Sequence, residues 1–128
     1  DVVISHDPWQ RYQLHPDHRA TGLAVVDGVV SARDHLFFPE QNLAAHRPAA
    51  VLLWSADAPD HWEDISETFQ TKINALLCHS SQGTTTMGGA EQDGQNRAAF
   101  VAKMSNWAQQ QGDPVGLEAA ESFKRITP

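Results

Sequence analysis

Apolar residues near the start of the chain form a short β-branched run, Val2-Val3-Ile4, which is typical of a buried parallel strand. A polar cluster that contains Pro8 follows at once, and proline ends both strands and helices. A second apolar run, Ala50–Trp54, is bounded by Pro48 and by a turn-forming segment at 57–60. The pattern therefore predicts two buried strands, each followed by a polar loop.

Three other segments repeat their apolar residues every three or four positions, as amphipathic helices do. The first runs from Ala20 to Arg33, and Pro16-Asp17 ahead of it is a typical helix start. Its two glycines and four valines would also suit a strand, but the spacing favours a helix. The other two helices are predicted at 67–79 and 96–111.

The remaining segments complete an alternating α/β pattern. Residues 61–65 suit a short edge strand, and residues 117–126 form a last element whose type the pattern leaves open. Residues 37–48 read as an irregular connection, while the Gly-, Thr- and Gln-rich segment 80–95 reads as a loop. Neither internal repeats nor a break in composition divides the chain into two domains.

Composition and charge exclude several classes of protein. Apolar residues make up 41% and charged residues 20% of the chain, which is ordinary for a globular domain. The net charge of −7 and the scattered basic residues argue against binding to nucleic acid or to an anionic membrane surface. No apolar run is long enough for a membrane span. The single cysteine, Cys78, excludes an internal disulfide and makes a reducing cytoplasm the default compartment.

Histidines supply the candidate chemistry. Three of the seven, His6, His15 and His18, fall near the chain start, and the last two are three residues apart at the predicted helix start. This offset points both imidazoles to one side of a helix, and Asp17 between them can fix a tautomer by hydrogen bonding. The plainer interpretation is a solvated helix cap with incidental histidines. A third is a metal site built from all three histidines.

The residues around His15 and His18 favour one of these three interpretations. The segment from His6 to Gly22, HDPWQRYQLHPDHRATG, resembles the C-terminal motif region of the PIG-L/LmbE-like deacetylases. That family includes N-acetylglucosaminyl-phosphatidylinositol de-N-acetylases and the mycothiol-pathway deacetylase and amidase. Residues 72–82 and Ala120-Glu121-Ser122-Phe123 are also similar to the family. The resemblance thus extends over most of the chain, and the HPDH segment is its specific part.

The resemblance implies a zinc-dependent hydrolase that removes an acyl group from an N-acylated amino sugar, such as an N-acetylglucosaminyl conjugate. It implies that His18 is a Zn²⁺ ligand and that His15 protonates the leaving amine or stabilises the oxyanion. Asp17 would orient His15. Tyr12 and Arg11 would lie beside the substrate. His79 and Gln82 are expected to be structural.

The resemblance also implies a three-layer, Rossmann-like α/β/α fold with a mostly parallel sheet, of which residues 1–128 would be the C-terminal part of a single domain. The family's second motif, an HPDD stretch that supplies a His ligand, an Asp ligand and an Asp base, is absent, because HPD occurs once, at His15.

The Zn²⁺ ligand set is therefore incomplete, since a catalytic site needs three protein ligands. We expect this chain to be inactive alone and to require the missing N-terminal segment as its partner.

Two alternatives remain at this stage. The chain could be a non-catalytic binding or structural remnant of the same fold, or an unrelated metal-binding domain. The sequence leaves homo-oligomerisation open, and the family's compartment is usually cytoplasmic.

Overall fold

The computed structural model describes residues 1–83, 86–89 and 94–128. In chain order the helices and strands are β1 (Val2–His6), α1 (Pro16–Ala32), β2 (Ala50–Trp54), β3 (His61–Asp64), α2 (Phe69–Leu77), α3 (Gly94–Gly112) and β4 (Ala120–Ile126). Short 3-10 turns lie at Pro39–Gln41, Ser80–Gln82 and Asp113–Val115. The α/β class predicted from the sequence is therefore confirmed.

The four strands of the described chain form a mixed sheet in the order β1-β2-β4-β3. β1 runs parallel to β2, with Val2 opposite Ala50 and His6 opposite Trp54. β4 runs antiparallel to β2. A parallel pair needs a long crossover, and α1 supplies it between β1 and β2. The expectation of a mostly parallel sheet is thus met only by β1 and β2. The type of the element at residues 117–126 was left open by the sequence pattern, and the structure shows an antiparallel strand there.

Two compact units divide the chain: residues 1–61 with 122–128, and residues 62–121. In the first unit β2 carries the buried core, because residues 50–53 are each at most 6% exposed. α1 packs against β1 in the same unit.

α1 begins at Pro16, earlier than the predicted start at Ala20. Proline is well suited to the first helical position, since its missing N–H would have no partner there. The β-branched side chains of Val26, Val29 and Val30 line a gap of about 90 Å³ together with Val51 and Ile126. The three-residue spacing therefore outweighs the strand preference of valine, because it turns one face of the helix toward the sheet.

Two side chains of β1 are more exposed to solvent than the sequence predicted. Val2 is 54% and Ile4 62% exposed, whereas Ser5 is buried. The prediction of a buried strand is therefore wrong for the Val2 and Ile4 side chains, and β1 lies at the end of the strand order of the described residues. An apolar strand with an open edge is a surface on which another strand can pair.

The second unit has its own apolar cluster, formed by the buried Ile73, Met87 and Phe100. Five partly buried residues pack against it, namely Phe69, Leu76, Leu77, Val101 and Met104. Lys72 pairs with Glu121 and lies 4.5 Å from the centre of the Trp107 ring. The helical stripes predicted for α2 and α3 therefore form one core.

Other sequence predictions can be compared directly. β3 confirms the short strand predicted at 61–65, and α2 is shorter than the predicted 67–79. The predicted loop at 80–95 contains a 3-10 turn and the first residues of α3, while its positions 84, 85 and 90–93 lie outside the described residues. Among the described residues, no helix is both long enough and apolar enough to cross a membrane.

Two glycines of α1 give a matched test of this packing. A Cβ atom at Gly22 would lie 2.8 Å from the carbonyl oxygen of His6 and 3.0 Å from Pro8, whereas one at Gly28 would meet nothing within 4 Å. Gly22→Ala should therefore lower the free energy of unfolding by about 1–3 kcal/mol through overpacking. Gly28→Ala should raise it by about 0.4–1 kcal/mol, because alanine restricts the unfolded chain. Urea unfolding measures both, and equal effects would contradict the close approach at Gly22.

Asp60 joins the turn after β2 to β4. Its carboxylate accepts a hydrogen bond from the Arg125 backbone N–H (2.7 Å) and pairs with Lys124, and these contacts hold the pKa of the Asp60 carboxyl below its ordinary value of 3.8. A lowered carboxyl pKa adds stability that is present at neutral pH and is lost as the pH falls through the folded-state pKa. Urea midpoints taken from neutral pH down to pH 2 should therefore fall less for Asp60→Asn than for the unmodified chain. Parallel curves for the two proteins would contradict this role.

Candidate active site

The candidate site lies where β1 and β2 end. His6 is the last residue of β1 and Trp54 the last residue of β2, and the two are paired in register. Because the strands are parallel, both side chains lie at the same carboxyl edge of the sheet, where sites in α/β proteins are commonly built. Their ring centres are 4.1 Å apart.

α1 brings two more imidazoles to this edge. His15 is the N-cap residue of α1, and His18 lies in the first turn. The His18 ring stacks with His15 at 4.5 Å and with His6 at 4.2 Å between ring centres. The prediction that His15 and His18 lie together at a helix start beyond β1 is confirmed. We call His6, His15 and His18 the histidine stack.

The helix cap selects one tautomer of His15. The Nδ1 atom accepts a hydrogen bond of 3.3 Å from the backbone N–H of Asp17. An accepting Nδ1 has no proton, so the neutral ring carries its proton on Nε2. The predicted contact between Asp17 and His15 is thus made by the Asp17 backbone, and the predicted role of the Asp17 side chain stays a prediction.

Several polar atoms at the site are buried without a partner. In the described part of the chain, Ser5 Oγ, His6 Nδ1 and His18 Nδ1 are buried and have no hydrogen-bond partner. Leaving a buried polar atom unsatisfied costs on the order of 1–3 kcal/mol, so such atoms cluster where a protein binds something. Two of the three belong to the histidine stack.

Burial also affects the charge of the stack. It lowers the pKa of His6, and positive charge on His18 and on His15 lowers it further. His6 is therefore held in its neutral form, the form in which an imidazole can bind a metal ion.

The loop after β1 is fastened to β2. The Asp7 backbone N–H donates to the Trp54 carbonyl (3.0 Å), and the buried Asp7 carboxylate accepts from the Trp9 N–H (2.9 Å). The Arg11 backbone N–H donates to the Asp57 carboxylate (2.8 Å). These contacts fix the start of the loop in the first unit.

The other end of the loop is fastened to α1. Arg19 donates to the carbonyl oxygens of Gln13 and Leu14. Tyr12 has a left-handed backbone (φ 61°) and a side chain that is 88% exposed. The structure therefore places the predicted substrate residues Tyr12 and Arg11 on an ordered loop, with the Tyr12 ring open to solvent. Their roles remain predictions.

Sequence reasoning missed Trp54 and Asp57 as parts of this region. Trp54 could have been found from the matching ends of the two predicted strands, because parallel neighbours end at one edge. The hydrogen bonds of Asp7 and Asp57 depend on loop geometry that has no sequence pattern of its own.

The donors fit part of a metal site. His18 offers an imidazole whose Nδ1 atom is buried, and His6 lies against it. Among the described residues, no group of three or more His, Cys, Asp or Glu side chains could hold a metal ion. A catalytic zinc site uses three protein ligands, so these residues supply fewer ligands than such a site requires.

His79 and Gln82, in the second unit, are both exposed. The Gln82 carbonyl accepts backbone hydrogen bonds from Thr86 (2.9 Å) and Met87 (3.3 Å), which is a structural contact.

Fold and site together define an α/β protein with a histidine stack at the carboxyl ends of two parallel strands. No family model matches the chain. The sequence is 32% identical, over 84 residues, to a diacetylchitobiose deacetylase of Thermococcus kodakarensis, and the match covers 63% of this chain and 32% of that protein. The chain thus spans about a third of the length of this curated relative.

Solved structures share the fold. The N,N'-diacetylchitobiose deacetylase from Pyrococcus horikoshii, complexed with its inhibitor MPG, superposes with a TM-score of 0.78 at 24% identity, over 99% of this chain and 46% of that chain. GalB, the 4-carboxy-2-hydroxymuconate hydratase from Pseudomonas putida, gives 0.67 at 16% identity, covering 99% and 52%. The conserved protein TT1542 from Thermus thermophilus gives 0.66 at 22% identity, covering 99% and 51%.

These structures include a deacetylase and a hydratase, so the shared fold does not by itself select a reaction. The sequence match to a diacetylchitobiose deacetylase nevertheless agrees with the deacetylase resemblance that the sequence suggested. The resemblance to the PIG-L/LmbE-like family is thereby confirmed.

The helix cap made by His15 can be tested apart from any chemistry. His15→Ala removes the Nδ1 acceptor and should lower the free energy of unfolding by about 0.5–1 kcal/mol, the lower part of the range for lost N-caps. His15→Asn keeps a good capping side chain and should leave stability close to that of the unmodified chain. Thermal unfolding of the two variants measures the difference. Equal losses for both would show that the cap contributes nothing.

Proposed function

We propose that this chain contributes the histidine-bearing half of a zinc-dependent deacetylase active site that acts on N-acylated amino sugars. The observation that carries the proposal is the gathering of His15 and His18 at the carboxyl edge of β1 and β2, inside the segment that resembles the family motif. The relatives named diacetylchitobiose deacetylase support an N-acetylglucosamine-type substrate.

In this proposal His18 is a zinc ligand. Its Nδ1 atom is buried without a partner, and its ring lies against a neutral His6. When bound, zinc would lower the pKa of a coordinated water to about 7 and polarise the amide carbonyl.

The remaining ligands and the general base must come from outside these residues, because the described chain has no group of three suitable donors. The family's HPDD motif, carried by an N-terminal segment of the same domain, would supply them. We propose that this segment adds a strand to the open edge of β1 and also packs over the sheet face that carries Val2 and Ile4, which are more than half exposed. The completed sheet would then be the three-layer, mostly parallel arrangement, in a cytoplasmic enzyme.

His15 would act on the reacting amide from the helix start. Its cap places the proton of the neutral ring on Nε2, which is a hydrogen-bond donor. That tautomer suits stabilisation of the oxyanion, because a ring protonated on both nitrogens would lose the hydrogen bond from Asp17. Protonation of the leaving amine is the alternative role. Arg11 and Tyr12 would contact the sugar, and Asp17 would hold His15 in place.

One observation favours a second candidate, a non-catalytic binding module of the same fold. The described residues do not assemble a complete metal-ligand group. The two candidates differ in a measurable way, because a binding module would bind the amino sugar without hydrolysing it.

The test compares the 128-residue chain alone with the same chain co-expressed with an HPDD-bearing segment. The isolated chain should hydrolyse no N,N'-diacetylchitobiose, and the pair should release acetate in a reaction that a chelator stops. In the pair, His18→Ala should lose both zinc and activity. His15→Asn should keep zinc and the helix cap while kcat falls by about 10²–10⁴-fold, as expected for a lost proton-transfer or donor group.

Two results would overturn parts of the proposal. Turnover that His15→Asn leaves unchanged would remove the role of His15. A pair that binds the sugar tightly but releases no acetate would favour the binding module.

A further inference from the structure

A cavity of about 560 Å³ lies beside the C-terminal half of α1, away from the histidine stack. One wall is the helix face that carries the small residues Ala24, Gly28 and Ala32, and the other wall is the connection from α1 to β2. All of the lining residues belong to the first unit. The helix rises about 15 Å between His18 and Gly28, so the cavity is separate from the candidate active site.

The connection after α1 is a loop with a closed base. The His46 backbone N–H donates to the Ala32 carbonyl oxygen (2.7 Å), and this bond brings together the two ends of residues 33–45. A 3-10 turn at Pro39–Gln41 lies inside the loop. Compact loops of this length whose ends meet frequently carry function. The cavity therefore has a defined outer wall.

The same loop holds its aromatic side chains in a costly arrangement. Phe38 and Asn42, on either side of the 3-10 turn, have left-handed backbones with φ values of 50° and 51°. A bulky residue rarely adopts this conformation, and such strain clusters at segments that bind ligands. Phe37 and Phe38 line the cavity, yet they are 49% and 57% exposed. Burial of these rings therefore offsets the strain only in part.

The volume and charge of the cavity indicate one kind of ligand. Small-molecule sites usually have volumes of about 300–1,000 Å³ and a largely apolar lining, as this cavity does. Among the described residues, no lysine or arginine lines it, whereas the carboxylates of Asp27 and Asp34 do. The other titratable groups of the lining are His35 and His46, and His46 Nε2 lies 3.1 Å from the Asp1 carboxylate. Carboxylates beside phenyl rings attract an ammonium group, both by charge and through the ring faces.

We propose that this cavity binds a small organic cation, in which an ammonium group is joined to an aromatic or alkyl body. The ammonium group would lie at Asp27 and Asp34. The apolar body would lie between the small-residue face of α1 and the rings of Phe37 and Phe38. This inference goes beyond the proposed function and does not depend on it, because no residue of the histidine stack lines the cavity.

Three probes of similar size and different charge test the selection: phenethylammonium, the neutral phenethyl alcohol and the anionic hydrocinnamate. Each is titrated into the metal-free 128-residue chain and followed by the NMR signals of the backbone amides of residues 24–46. Phenethylammonium should bind most tightly, because the two carboxylates favour its charge. Hydrocinnamate should bind most weakly, because they repel it.

Gly28 offers a matched pair of variants. A Cβ atom there would meet nothing within 4 Å, so a larger side chain fits at this wall of the cavity. Gly28→Phe should abolish phenethylammonium binding by occupying the space, whereas Gly28→Ala should bind the probe as the unmodified chain does. Asp27→Asn should weaken binding by about 1.5–5-fold, as expected for the loss of an exposed ion pair. Glu40→Gln removes a charge from the same loop outside the lining and should leave binding unchanged.

The proposal fails on any of four results. Equal binding of the three probes would show that charge is not selected, and no binding of phenethylammonium would show that the cavity takes no such cation. Binding that Gly28→Phe leaves unchanged would place the probe elsewhere on the chain. Amide signals of residues 24–46 that change with protein concentration, and that no probe alters, would show that a second copy of the chain covers the cavity. Gly28→Leu replaces Gly28→Phe should the larger ring prevent folding.

Discussion

The close approach of α1 to the end of β1 at Gly22 is the contact on which the candidate site depends. Gly22 lies against the His6 carbonyl and Pro8, where a side chain would be too close. This contact fixes the distance between the helix start and the strand end. The helix start carries His15 and His18, and the strand end carries His6. Stacking distances of 4.2 Å and 4.5 Å between the rings can be held only if both elements are held. The position of the three histidines therefore depends on the close packing of α1 against the end of β1.

Sequence patterns predicted the parts whose physical signals are local. The apolar runs located β1 and β2, and the three-residue spacing with Pro16 located α1. The HPDH segment indicated that two imidazoles share a helix start, because cap and first-turn positions follow directly from the sequence. The same reasoning expected β1 to be buried, which the exposed Val2 and Ile4 contradict. A strand's apolar character shows that it suits a buried surface, but not which neighbours are present to cover it.

Other features depend on contacts between residues distant in the sequence, which no short pattern records. The antiparallel direction of β4 follows from the route of the chain, and the element has no distinguishing period. Trp54 enters the site because it pairs in register with His6, forty-eight residues earlier in the numbering. The hydrogen bond that the structure shows between Asp17 and His15 is made by the Asp17 main-chain N–H, which the sequence pattern did not indicate. In each case the missing information was the pairing of strands or the path of a loop.

In the proposed function, protons and a metal ion would compete for the imidazoles of the histidine stack. Burial and the positive charges of its neighbours lower the pKa of His6, so protonation of His6 is disfavoured. A neutral imidazole is the form that ligates a metal, and metal binding requires ligands free of protons. At His15 the helix cap assigns the tautomer of the neutral ring, because Nδ1 accepts a hydrogen bond from the Asp17 backbone N–H. A His6 with a lowered pKa, beside a His18 Nδ1 atom that is buried without a partner, supports the proposal that the site takes a cation. The ligands still required for such a cation would have to be acidic or neutral donors from beyond these residues, which is the chemistry that an HPDD segment offers.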